Sequence, residues 1–290
     1  MKALLTVLLS FVLALSTLAQ GKPAYKLYNA KGKKKSYKKM LKEAKKADVI
    51  LFGEYHDNPI SHWLQLELAK DLSQKHKLVL GFEMLEQDNQ KAVDDYLAGT
   101  INQKGLDTLA RLWKNYKTDY KPLVDFAKDH NYPVCASNIP RRFASLVFRG
   151  GFEALDSLSD REKDWIAPLP IPYDSELKSY VAMTKMEHMN HMPEKMKLNM
   201  PKAQAIKDAT MASAILEYSK KKHLFIHYNG SYHSDDYEGI YWYLKKYKPG
   251  LKIMTITTVS SDDVNDFNDE NIAKADFIIQ VDKSMTSTYN

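Results

Sequence analysis

The sequence contains one cysteine, Cys135, among 290 residues. This excludes an internal disulfide, and its strand-like setting, Tyr132-Pro133-Val134-Cys135-Ala136, makes it a small buried hydrophobe. There is no internal repeat and no phosphate-cradling glycine loop, so neither a solenoid nor a P-loop enzyme is indicated. Beyond the first residues no apolar run reaches the ~20 residues that a membrane span needs. No Pro/Gly/Ser-rich linker divides the chain either, and 44% hydrophobic content supports one sizeable core. A single domain over residues 20–290 is therefore expected.

The first residues stand apart from that domain. Lys2, the mostly apolar run Ala3 to Leu15 and then Ser16-Thr17-Leu18-Ala19-Gln20 read as a signal peptide over residues 1–19, cleaved after Ala19. Export to the periplasm or outer envelope is the expectation. No cysteine follows the cleavage site, so no lipobox is seen. The formal charge of +6 and pI near 9.0 come from scattered lysines. One dense run, Lys31-Gly32-Lys33-Lys34-Lys35-Ser36-Tyr37-Lys38-Lys39, reads as a solvated arm rather than a nucleic-acid or lipid contact, and no nucleic-acid partner is expected.

What the sequence does have is polar residues placed at the ends of apolar runs. Val49-Ile50-Leu51-Phe52-Gly53 stops at Glu54-Tyr55-His56-Asp57. Leu78-Val79-Leu80-Gly81-Phe82 stops at Glu83, and Leu224-Phe225-Ile226-His227-Tyr228-Asn229-Gly230 is followed by Ser231-Tyr232-His233. Buried parallel strands deliver polar groups to the open end of a sheet in this way, where α/β folds bind ligands. If the three strands are neighbours, Glu54, His56, Glu83 and His233 converge. Such a cluster suits a metal site, with His56 and His233 as ligands and zinc as the ion, or a general acid/base pair, or a polar clamp. The plainer alternative has Glu54 capping a helix, His56 in a surface loop and His233 opening the next helix.

Five ordered motifs carry a resemblance to a known family. They are Gly53-Glu54-Tyr55-His56-Asp57-Asn58; Gly81-Phe82-Glu83-Met84-Leu85 with Asp88 and Gln90; Asn138-Ile139-Pro140-Arg141; Gln204-Ala205 with Asp208 and Met211-Ala212; and Gly230-Ser231-Tyr232-His233. Together they resemble the ChaN-like haem-binding uptake family over roughly residues 35 to 282. That family is related to a wider group with Tiki metalloproteases and erythromycin esterases. The resemblance implies an α/β fold and a role in haem or iron acquisition at the bacterial envelope.

Strand and helix patterns alternate up to about residue 142, which predicts a mainly parallel sheet with helices on both faces. Pro59 opens one such helix, in which His62 could support His56 across the loop but reads rather as a partly exposed surface histidine. Leu106 to Tyr116 and Tyr120 to His130 read as two more. Arg141 and Arg142, just past a strand end, suit a carboxylate or haem propionate, or an ion pair with Glu54 or Glu83. The stretch from about 143 to 201 breaks the rhythm as a helical insertion. It holds Met183, Met186, Met189, Met192, Met196 and Met200, six of the chain's 12 methionines, with His188 and His191 among them. Spacings of three and four put the methionines on one helical face, interrupted at Pro193. Core or dimer packing explains such a stripe, copper would favour its thioethers, and a flat apolar cofactor would favour thioethers and imidazoles together.

The leading expectation is an exported haem-binding protein that aids haem or iron acquisition. Its cofactor-binding residues would be His188, His191, Met189, Met192, Tyr232, His233 and Arg141. Haem would be the ligand, with a homodimer and outer-membrane haem-uptake machinery as partners. The alternative is a hydrolase of the Tiki or erythromycin-esterase type that uses Glu54, His56, Glu83 and His233 for catalysis.

Overall fold

The computed structural model describes residues 21–186, 192–219 and 223–289. Among these residues eight strands form one sheet: β1 (Tyr25–Asn29), β2 (Lys34–Lys35), β3 (Val49–Glu54), β4 (Leu78–Glu86), β5 (Val134–Asn138), β6 (Leu224–Gly230), β7 (Ile253–Ser261) and β8 (Phe277–Asp282). Their order is β2-β1-β8-β7-β3-β6-β4-β5. All pairs from β8 to β5 are parallel, and only β1 pairs antiparallel, with β2 and β8.

Nine helices among the described residues connect or cover these strands: α1 (Tyr37–Ala44), α2 (Pro59–Ser73), α3 (Gln90–Leu97), α4 (Gln103–Leu109), α5 (Lys121–Asp129), α6 (Arg141–Gly150), α7 (Lys178–Thr184), α8 (Glu194–Tyr218) and α9 (Ile240–Tyr247), besides shorter helical turns. The strands alternate between two apolar layers. Ile50, Phe52, Leu80, Phe82 and Ile226 pack with α1, α2, α3 and α5; Val49, Leu51, Val79 and Phe225 pack with α6, α8 and α9. Burial on both faces is why the parallel strands read as continuous apolar runs.

The lysine run is not a free arm. β1 pairs along the whole of β8, and after β2 Ser36 caps α1 by accepting the Lys39 N–H. Pro59 begins α2 as expected, and Asn58 accepts the Ile60 and Ser61 N–H groups. The helix expected over Leu106 to Tyr116 ends instead at Leu109, and a π-type turn follows at Tyr116–Tyr120. The helix α8 begins inside the expected insertion, at Glu194, and carries Pro201 inside it. Cys135 is buried in β5. No helix among the described residues is long and apolar enough to cross a membrane.

Candidate functional site

Strand order brings the polar residues together. β6 lies between β3 and β4, with Glu54 level with Gly230 and Phe82 level with Tyr228. Side chains alternate along a strand, so Glu54 shares the face of Ile50 and Phe52, whereas Glu83 shares the opposite face with Val79. Two half-sites therefore form, one on each side of the sheet, and they meet over the end of β6.

The first half-site is built on Glu54, which is fully buried. One carboxylate oxygen accepts the Tyr120 hydroxyl at 2.7 Å and faces His56 Nδ1 at 2.9 Å, while the other accepts the Gln65 amide. Burial opposes ionisation of Glu54, but the His62 and His56 imidazoles and these hydrogen bonds outweigh it and hold its pKa below the usual range. Burial also pushes the Tyr120 phenol up, aided by the Glu54 charge, so Tyr120 stays a donor. His62 is buried, contrary to its expected partial exposure: Nε2 donates to the His56 carbonyl at 3.0 Å and Nδ1 faces the Gln65 amide oxygen. Asn115 donates to the same carbonyl at 2.7 Å. The loop carrying His56 is thus held from two sides.

In the second half-site His233 lies between two acids, with Nδ1 2.5 Å from Asp208 and Nε2 3.2 Å from Glu83. Burial alone would lower the imidazole's pKa, but the Glu83 and Asp208 charges raise it to about 10. His233 is therefore an imidazolium. Two carboxylates sharing one cation leave a buried excess of negative charge, and the two acids respond differently. Asp208 is raised by burial, whereas Glu83, which also accepts the Gly230 N–H at 2.7 Å, is held well below the usual carboxylate range.

The halves join at Gly230. A β-carbon there would lie 2.7 Å from His56 Nε2 and 3.5 Å from a Glu83 oxygen, so only glycine lets the imidazole approach. The Glu54 hydrogen bond and the Glu54 and Glu83 charges raise the pKa of His56 against the effect of burial. Beneath the site His227 bridges Ser137 at 2.7 Å and Asn229 at 3.1 Å. Burial lowers its pKa to about 4, so it is a neutral structural group.

Above the cluster opens a cavity of about 460 Å³, within the ~300–1,000 Å³ usual for small-molecule sites. Met183, Met186, Met200, Tyr55 and Tyr232 give it apolar walls, and Glu54, His56, Gln204 and His233 line its polar part. Tyr232 donates to the Ser179 carbonyl at 3.1 Å. Met192 is described and half-buried but does not line the cavity. Arg141 is exposed at the first residue of α6 and also stands apart from it. Arg142 pairs with Asp88 rather than with Glu54 or Glu83. His188, Met189 and His191 lie outside the described residues. Among those that are described, no three His, Cys, Asp or Glu side chains are grouped to hold a metal ion.

Five participants were not singled out from sequence as site residues: Asp208, Gln204, Gln65, Asn115 and Tyr120. Asp208 left a usable signal, since an acid between Ala205, Ala209 and Ala212 falls on the apolar side of its helix. Gln65 and Tyr120 left none.

Comparison with known proteins adds the following. Residues 40–244 match the family described as haem-binding uptake, Tiki superfamily, ChaN. Among solved structures, ChaN of Campylobacter jejuni, in a structure of cofacial haem binding, is 20% identical, with 88% of this chain and 96% of that one covered and a TM-score of 0.66. A protein from Bacillus cereus is 13% identical (84% and 90% covered, TM-score 0.46), and an erythromycin esterase in its open conformation is 7% identical (77% and 72% covered, TM-score 0.47). No curated protein matches the chain. At 20% identity the likeness to the ChaN structure speaks for the fold.

Proposed function

The chain belongs to the haem-binding uptake family, Tiki superfamily, ChaN, and from that premise we propose that its cavity holds haem in an exported protein serving haem or iron acquisition. One observation carries the assignment to this cavity. His56 is anchored through Nδ1 by the Glu54 carboxylate, while Nε2 has no hydrogen-bond partner among the described residues and its ring borders the methionine-walled space. A carboxylate on one imidazole nitrogen fixes the tautomer and makes the other nitrogen a better metal ligand. The residues present thus fit a flat apolar group with a metal centre: His56 would meet the iron, and Met183, Met186, Met200, Tyr55 and Tyr232 would cover the ring. Bound haem supplies a redox-active iron whose behaviour follows the axial ligand. The protein's part is to orient His56 and keep water from the apolar walls. His233 is different, because both its ring nitrogens are occupied by carboxylates.

His188 and His191 belong to the five residues joining Met186, a wall of the cavity, to Met192, and they enter the same test. Apo-protein titrated with haemin should show a stoichiometric Soret shift that weakens at least tenfold or changes its maximum in His56→Ala. No shift would overturn the proposal. A shift unchanged in His56→Ala but lost in His188→Ala, His191→Ala or Tyr232→Phe would move the ligand elsewhere. Delivery to outer-membrane uptake machinery, and a homodimer closing over the exposed face of the ligand, complete this reading.

A second reading rests on His56 and Glu83, which approach each other across Gly230. An imidazole of raised basicity at a cavity, beside an ionised buried carboxylate, suits general acid/base hydrolysis of an ester or amide. Ester cleavage abolished by Glu83→Gln, without any haemin shift in the parent chain, would favour it.

A further inference from the structure

Charge is segregated along the strand direction. The cavity sits at the carboxyl ends of the strands, where Glu54, Glu86, Asp235, Asp262 and Asp282 end or follow β3, β4, β6, β7 and β8. The opposite end is basic. Residues 31–46 contain nine lysines and one glutamate, and Lys252 precedes β7. The β1–β2 turn lies at this end because β1 runs antiparallel to β8, pairing Asn29 with Phe277.

The few carboxylates there are already committed. Glu43 takes both Lys39 and Lys46 at 2.7 Å, Asp48 accepts the Lys252 N–H at 3.0 Å, and Asp276 accepts the Thr255 N–H at 2.9 Å. Lys31, Lys33, Lys34, Lys38 and Lys42 are exposed, and no carboxylate among the described residues lies within ion-pair distance of them. A groove of about 470 Å³ opens between Lys35, Lys39, Lys46 and Lys252, with Glu43, Asp276, Met254 and Phe277 also lining it.

We propose that this lysine-bearing end docks on an anionic phospholipid surface and leaves the cavity facing away from it. The cations are all lysines, and the chain's five arginines, residues 111, 141, 142, 149 and 161, lie elsewhere in the sequence. Mobile point charges suit a diffuse layer of headgroups, whereas reading a nucleic acid favours guanidinium forks. Lys39 and Lys46 in the groove are spent on Glu43, so Lys35 and Lys252 are the amines there that a headgroup phosphate would meet. A rigid hairpin and helix present these charges, not a tail, so docking also sets orientation. The inference is independent of what fills the cavity.

Co-sedimentation of the purified chain with phosphatidylcholine vesicles, with and without phosphatidylglycerol, tests it. Binding should require phosphatidylglycerol and fall steeply with added salt. A lysine near such a surface is worth about fivefold in partitioning, so Lys34→Gln, Lys38→Gln and Lys42→Gln together should weaken binding about 100-fold. The same charge removed at the cavity end, by Lys114→Gln and Lys117→Gln, which flank Asn115, and Lys185→Gln, beside Met186, should change it little, and both triple variants should keep the parent melting temperature. Because Cys135 is buried, an environment-sensitive thiol dye can be placed at Lys34→Cys or at Asp262→Cys. Vesicles should shift only the first. No binding to phosphatidylglycerol, equal losses in the two triples, a shift at Asp262→Cys, or duplex DNA bound more tightly than vesicles through the same lysines would each overturn the proposal.

Discussion

At Gly230 the space of one methyl group decides whether the two half-sites can touch. Gly230→Ala puts a carbon 2.7 Å from His56 Nε2, while the Glu83 oxygen at 3.5 Å stays in ordinary contact. His56 cannot retreat freely, since Glu54 holds its other nitrogen, so overpacking should cost about 1–3 kcal/mol of stability. Haemin affinity should fall more than in a control of equal stability loss, as chemical denaturation paired with haemin titration would show. His233 supports a pH prediction with a definite sign. Its folded pKa of about 10 exceeds its ordinary 6.5, so its contribution is complete below pH 6.5 and declines as pH rises from there toward 10. Glu83, held below its ordinary 4.5, contributes above that value and loses its contribution as pH falls. Unfolding free energy should therefore drop between pH 7 and 10 more steeply in the parent than in His233→Gln. His233→Ala, which leaves two buried acids without their cation, should cost about 3–5 kcal/mol near neutral pH. Equal slopes in the two chains would mean that His233 is not an imidazolium. The acids that end apolar runs were legible in the sequence, because a carboxylate at the end of a buried strand is costly unless it meets a partner there. Tyr120 and Gln65 were not, because tyrosine and glutamine are ordinary in helices and turns. Only the fold shows that both aim at Glu54.

At the scale of elements, the central parallel strands were readable because both of their faces are buried, so β3, β4 and β6 appear as unbroken apolar runs. β2 escaped notice because this edge strand is two lysines long, a composition that blunts edge-to-edge pairing and looks like loop, and β1 beside it is only five residues long. The interruption expected at Pro193 is where α8 begins, whereas Pro201 lies buried inside the helix. That continuity carries Met200 on the same helix as Gln204 and Asp208, so one element supplies both a wall and part of the polar base. The methionines divide by burial. Met183 is buried in the core, whereas Met186 and Met200 are only partly so. Met186→Glu and Met200→Glu should each weaken haemin binding about tenfold, the worth of one apolar side chain's burial, and leave the melting temperature near that of the parent. Met183→Glu should destabilise the fold itself. If all three lower the melting temperature equally, the stripe is core packing and the cavity wall has no separate role.

For the molecule as a whole, the open question is how uniformly the sheet resists opening, and the single cysteine offers a direct measure. Cys135 lies in β5, an edge strand hydrogen-bonded only to β4, which on pairing alone should open first. Packing argues the other way. β5 is covered by α8, Cys135 belongs to the layer that includes Phe143, Val147 and Ile215, and Ala136 donates its N–H to the Gln90 side chain at 2.7 Å. Burial also pushes the thiol's pKa up, so the reactive thiolate is scarce until the site is solvated. If packing dominates, reaction with a thiol reagent should require global unfolding, and its rate should rise with denaturant with the slope of the equilibrium transition. If pairing dominates, labelling in the absence of denaturant should be orders of magnitude faster than global opening allows, with a shallow slope. We expect the first outcome, because β5 contributes to the apolar layers on both faces of the sheet and freeing it would expose Val134, Cys135 and Ala136 together with their partners on α6 and α8. The same measurement made with haemin bound would show whether the cavity, whose wall and base come from α8, is coupled to that edge: ligand binding confined to the folded state should slow the labelling in proportion to its occupancy.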